Sequence, residues 1–186
     1  MTERPRKNYE DYYEIIKGID SGGYGTVYKG REKEKNELRA IKVMNLNKIR
    51  ENLIYEIDEK DDIEEKVKSY MDKFIKEFEI MKKLCNNNNN NSVKCYEYFQ
   101  NENNFIIIME LCDKNLSQLL MEKKRQDKRY FNSEEILEIM KQLNNTFKIM
   151  MENSIIHRDL KLENILIKYD DIDKKIIYNK INRFWL

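Results

Sequence analysis

All five glycines of this 186-residue chain lie between Gly18 and Gly30. Freedom to place backbone at positive φ is therefore concentrated in one short segment. Any later left-handed turn is expected to use Asn or Asp. Around the glycines, Tyr12 to Met44 has β character. Ile15, Ile19, Val27, Tyr28, Leu38, Ile41 and Val43 sit in short runs separated by turn-rich or charged stretches. The spacing predicts three antiparallel strands, at about 12–20, 25–32 and 37–44.

Residues 45–62 are polar and acidic and read as an exposed insertion. A helix is expected next, because Ile63, Val67, Tyr70, Met71, Phe74, Phe78, Met81 and Leu84 recur in steps of three and four. The asparagine run Asn86–Asn91 reads as a solvated loop. Two further strands are expected, Val93–Gln100 and Phe105–Leu111, with a turn over 101–104. A second helix should begin near Asn132. There Asn132 and Glu135 form a capping-box pattern, and Phe131 with Ile136 form a hydrophobic staple. Its apolar stripe is Ile136, Met140, Leu143, Phe147 and Met150.

The charge balance narrows the partners. With 35 basic and 34 acidic residues the net charge is +1, which gives no long-range attraction to nucleic acid or to an anionic membrane. The three cysteines, Cys85, Cys95 and Cys112, form no C-x-x-C pair and read as reduced thiols. Residues 1–11 read as a charged tail without a secretory segment, and the run Phe105 to Met109 is too short to span a bilayer. The expected location is the cytoplasm, with the nucleus left open.

Four segments carry candidate chemistry. Ile19 to Val27 holds Gly22, Gly23, Tyr24 and Gly25, a loop whose backbone N–H groups could approach phosphate oxygens; read alone it could equally be a hairpin turn. Lys42 ends the run Ala40-Ile41-Lys42, and a strand-end lysine is usually just solvated. Glu77 gives it a partner, because it lies beside the apolar stripe three residues after Phe74 and so faces inward, with Glu79 as a fallback at a worse angle. Phe105 to Cys112 reads as a buried strand. The fourth segment, His157-Arg158-Asp159-Leu160-Lys161-Leu162-Glu163-Asn164, contains the chain's single histidine.

Taken in order, these segments resemble the motifs of the eukaryotic protein kinase family, serine/threonine type, over roughly Tyr12 to Lys180. The octet at 157–164 is similar to H-R-D-L-K-x-x-N, and chance assembly of it in this context is remote. The resemblance implies an α+β, protein-kinase-like fold. That fold would have a five-stranded antiparallel small lobe with one major helix over 12–112 and an incomplete, mainly helical large lobe over 113–186.

It also implies site roles. Ile19, Gly22, Gly23, Tyr24, Gly25, Val27 and Ala40 would cover ATP. Lys42, paired with Glu77, would neutralise its phosphates, and the backbone of Glu110 and Cys112 would hold adenine, behind Met109 as gatekeeper. Asp159 would take the proton of a protein hydroxyl, Lys161 would contact the transferred phosphate, and Asn164 would ligate Mg²⁺. His157 would brace the loop.

The chain departs from the family pattern at Asp20, where the first loop glycine is expected, and at its end. There Arg183-Phe184-Trp185 stands where Asp-Phe-Gly is expected. The reading is an ATP- and Mg²⁺-dependent protein serine/threonine kinase acting on a protein substrate, in a chain truncated at that position. The alternative is a catalytically inactive pseudokinase that binds nucleotide or protein. A small-molecule kinase of similar fold fits less well, because such enzymes lack the full octet. With large-lobe helices missing, a partner protein is expected to cover the exposed apolar stripe.

Overall fold

β-prone runs separated by turn-rich stretches form the early strands; Tyr13 is the one buried residue of the first, whereas the third buries Ala40, Ile41 and Met44. The computed structural model describes residues 8–23, 25–55, 61–85, 91–169 and 176–181. Strands β1 (Tyr13–Gly22), β2 (Gly25–Glu32) and β3 (Leu38–Asn45) pair antiparallel in succession. With β4 (Cys95–Gln100) and β5 (Asn104–Glu110) they form a five-stranded sheet ordered β1-β2-β3-β5-β4. The 101–104 turn is closed by Asn101, whose side-chain oxygen accepts from the N–H groups of Asn103 and Asn104 at 3.0 and 2.8 Å.

The chain divides into two units, Met1–Phe78 with Cys95–Leu111 and Glu79–Lys94 with Cys112–Leu186. In the first, register decides which residues share a face. Val27 lies opposite Lys42 and Lys42 opposite Ile107, while Ala40 faces Met109 and Met44 faces Phe105. Ile41 pairs with Ile108 and Val43 with Ile106 on the other face. That second face is sealed by Tyr13, Ile41, Ile106 and Ile108, with Tyr9, Tyr12 and Phe99 packed against them.

Helix α2 (Asp61–Cys85) confirms the predicted stripe, with Val67, Phe74, Phe78, Met81 and Leu84 buried. It presents Phe74 to Phe105 at 5.8 Å between ring centroids and Phe78 to Tyr98 at 5.0 Å. Tyr98 stacks on Phe105 at 5.1 Å.

One expectation is corrected here. Part of the predicted exposed insertion, residues 46–54, is helix α1 (Leu46–Ile54), capped by Asn45 through a bond from the Lys48 N–H at 3.0 Å. Leu46, Ile49 and Leu53 are buried. Their spacing of three and four was an amphipathic signal masked by the charged residues between them. Residues 56–60 lie outside the described residues, as do 86–90 of the asparagine run.

In the second unit, β6 (Lys114–Asn115), β7 (Ile165–Tyr169) and β8 (Ile176–Ile181) form a three-stranded sheet. Helix α3 (Leu116–Gln126) begins with a capping box between Asn115 and Gln118. Helix α4 (Ser133–Glu152) begins with the predicted box: Glu135 N–H donates to Asn132 at 2.8 Å and Asn132 N–H to Glu135 at 2.9 Å. Its stripe is covered only in part. Leu143 and Met150 are buried together with Thr146 and Ile149, but Ile136 and Met140 are 50% and 53% exposed. A periodic stripe marks the face a helix can bury; what lies over each turn decides whether it does.

The glycine-poor remainder does not rely on Asn and Asp alone. Asn36 takes positive φ as expected, but so do Lys128, Ser154 and Arg158. Surrounding hydrogen bonds hold such residues against the moderate steric cost of the left-handed region.

Two outcomes follow for stability. Phe105→Ala should cost about 3–5 kcal/mol, read from the shift in urea midpoint, because it opens a cavity among Phe74, Tyr98 and the sheet. The Arg129 guanidinium, the Lys123 ammonium and the Asn132 N–H hold the Glu135 carboxyl well below the usual carboxylate range. Its folded pKa is lowered, so its contribution is complete above about pH 5 and is lost as pH falls below the unfolded value of about 4.3. Glu135→Gln should therefore destabilise the chain near neutrality, with the deficit shrinking in acid.

Candidate active site

Alternation along β3 sends Ala40 and Lys42 to the same face, the face that receives Phe74 and Phe78 of α2. Glu77 lies between these two phenylalanines on the helix, so its carboxylate turns towards the strand. Lys42 Nζ lies 2.9 and 3.1 Å from the two Glu77 oxygens. Glu77 is buried, and the Lys42 side chain is 21% exposed. Two opposite charges held this far from water support each other, and removing one strands the other.

The remaining residues of the sheet arrange around this pair. Val27 lies opposite Lys42, and Ala40 is buried two residues before it. Met109, opposite Ala40, is also buried. Ile19 is half exposed, at a register shift between Gly18 and Asp20. The glycines divide by role. A Cβ on Gly25 would overlap the Val43 carbonyl and come within 2.9 Å of Met44 Cα, so this glycine serves the close approach of β2 to β3. A Cβ on Gly22 or Gly23 would meet nothing within 4 Å. The chain's own packing does not require those two glycines, and the space beside them is open. Tyr24 lies outside the described residues. Glu110 ends β5 opposite Arg39.

In the second unit, Cys112 is half-buried, and next to it Asp113 N–H donates to the Ile167 carbonyl at 2.9 Å. The loop leading into β7 gathers the polar groups. His157 is buried, and its carbonyl accepts from the Asp159 N–H at 2.8 Å. Arg158 between them has φ of 60°, a left-handed kink that turns the chain sharply before Asp159. A 3-10 turn over Leu162–Asn164 then brings Asn164 back. Its Nδ2 donates to the Asp159 carbonyl at 2.7 Å and to the Asp159 carboxylate at 3.0 Å. Lys161 Nζ lies 3.1 Å from that same carboxylate oxygen.

The Asp159, Lys161 and Asn164 side chains therefore converge. The bond from Asn164 to Asp159 was not legible in the sequence, because it depends on the kink at Arg158 and the 3-10 turn. It also orients the amide. With Nδ2 committed to Asp159, the Asn164 carbonyl oxygen is the atom left to meet a hard cation, which fits Mg²⁺. Among the described residues no group of three or more His, Cys, Asp or Glu side chains could hold a metal. Mg²⁺ here would take its other ligands from phosphate oxygens and water. Arg183, Phe184 and Trp185 lie outside the described residues, and among those described no helix is long and apolar enough to cross a membrane.

Residues 13–178 match the model of the protein kinase domain family. The chain is similar to NUAK family SNF1-like kinase 1 of Homo sapiens, at 30% identity over 182 residues covering 94% of the chain and 24% of the relative. It is 27% identical over 172 residues to the probable serine/threonine-protein kinase fnkE of Dictyostelium discoideum, covering 92% of the chain and 12% of that protein. The chain thus spans about a quarter or less of these curated relatives. The fold is similar to that in the crystal structure of Rad53 1-466 in complex with AMP-PNP, with a TM-score of 0.71 at 23% identity. That match covers 95% of this chain and 40% of the other.

The ion pair gives a direct test. Glu77→Ala should destabilise the chain by about 2–3 kcal/mol in urea unfolding, because it leaves the Lys42 ammonium largely buried without its counter-charge. The double change Lys42→Met with Glu77→Leu should recover most of that loss.

Proposed function

The chain belongs to the protein kinase domain family, and from that premise we propose that it is an ATP-dependent protein serine/threonine kinase. Its reaction would move the γ-phosphoryl group of Mg-ATP to a serine or threonine hydroxyl of a protein substrate. The observation that carries this reading is the convergence of Lys161 Nζ and Asn164 Nδ2 on one carboxylate oxygen of Asp159.

Phosphoryl transfer asks little covalent chemistry of a protein. It needs a base beside the attacking hydroxyl, positive charge against the phosphoryl oxygens and a held metal. Asp159, partly exposed, would accept the hydroxyl proton. Lys161, within reach of the same carboxylate, would leave it to meet the transferred phosphate, and Asn164 would offer its carbonyl oxygen to Mg²⁺. Mg²⁺, when bound, would supply charge neutralisation on the phosphates. Lys42, fixed by Glu77, would meet the α- and β-phosphates. Ile19, Val27 and Ala40 would pack on the adenine, and the backbone at Glu110 and Cys112 would hydrogen-bond its edge. Gly22 and Gly23, whose added Cβ would meet nothing within 4 Å, would let phosphate approach their backbone.

The test is transfer of radioactive phosphate from ATP to a generic basic protein by the full-length protein. Asp159→Asn should lower transfer by about 10²–10⁴ while leaving nucleotide binding in place. Lys42→Met should weaken both. Nucleotide binding with no Asp159-dependent transfer would instead identify a pseudokinase, the alternative that Arg183 at the expected aspartate position raises.

A further inference from the structure

We propose that Asp20 makes the nucleotide site of this chain selective against free polyphosphate charge. The inference rests on the nucleotide-binding reading above. Register carries it. Asp20 lies opposite Val27 on β2, and Val27 lies opposite Lys42 on β3. Residues directly opposite in antiparallel strands project to the same face. Asp20 and Lys42 therefore share a face two strands apart, on the order of 10 Å between backbones.

Asp20 is the one charge that this row adds to the Lys42–Glu77 pair. Lys42 is already met by the buried carboxylate of Glu77. Asp20 adds a second negative charge, so the formal sum over Lys42, Glu77 and Asp20 is negative. The Asp20 side chain is exposed but held in place, because its Oδ1 accepts from the Ser21 N–H at 2.9 Å. It stands at the entry to Gly22 and Gly23, beside which the space is open. Each phosphate added to a nucleoside brings more negative charge towards this row. Asp20 opposes that charge and leaves an uncharged nucleoside indifferent. A divalent cation on the phosphates would relieve the repulsion, so the site prefers nucleotide that arrives neutralised.

Calorimetric titration of the full-length protein with adenosine, AMP, ADP and ATP in EDTA at low salt tests this, with Asp20→Asn and Asp20→Glu alongside. Asn keeps the size of the side chain and the acceptor for the Ser21 N–H while removing the charge. It should leave adenosine affinity unchanged and tighten the others progressively, from about twofold for AMP to roughly tenfold for ATP. The gain should shrink at about 0.5 M salt and on adding Mg²⁺, and Asp20→Glu should behave as wild type. An equal effect across the series, or none on ATP, would overturn the inference while the nucleotide-binding reading stands. So would weaker ATP binding by Asp20→Asn in Mg²⁺, which would make the carboxylate a metal ligand. If no protein in the set binds adenosine or any nucleotide, the nucleotide-binding reading fails and the inference fails with it.

Discussion

The Lys42–Glu77 ion pair ties the first unit together chemically. A lysine in a central strand of a buried sheet is costly unless its charge is met where it lies. Meeting it requires a helix over that face of the sheet, turned so that one acid points inward among its apolar neighbours. The same turn that aims Glu77 at Lys42 seats Phe74 on Phe105 and Phe78 on Tyr98. Charge pairing and aromatic packing therefore select one rotation of α2. The opposite face of the sheet buries Tyr13, Ile41, Ile106 and Ile108 in a separate cluster.

The loop before β7 solves a different problem. Asp159, Lys161 and Asn164 must meet although they are spread over six residues, which a strand or an ordinary helix would not allow. A left-handed residue at Arg158 and a 3-10 turn over Leu162–Asn164 fold the segment back on itself. Arg158 adopts this conformation without being glycine, so the surrounding contacts outweigh a local steric cost. The burial of His157 and the bond from Asp159 N–H to its carbonyl anchor the kink. These contacts fix the shape of the loop, and the proposed chemistry depends on position.

Much of this was legible from local pattern. The β-prone runs from Tyr12 to Met44, the stripe of α2 and the Asn132–Glu135 box are each written within a few residues, and each forms the element read from it. The inward aim of Glu77 followed from its offset to Phe74. Helix α1 was missed because Leu46, Ile49 and Leu53 are thinly spread among charges, and only burial shows that they face a core. The stripe of α4 was expected to be exposed, yet only its first turns are half exposed while Leu143 and Met150 are buried, because coverage depends on what packs there. Positive φ at Lys128, Ser154 and Arg158 ran against residue preference for the same kind of reason.

The sequence by itself determined the elements with strong local pattern and the types of group available to a site, because periodicity and side-chain chemistry are local properties. Tertiary structure decided which of those groups meet. The row Asp20–Val27–Lys42 exists only once strand register is set. The division of glycines into Gly25, which packs strand on strand, and Gly22 and Gly23, which leave space, exists only once β2 lies against β3. The approach of Asn164 to Asp159 needs a kink that no residue preference announces. Each is a relation between segments, fixed by the geometry of pairing and burial rather than by any one stretch of chain.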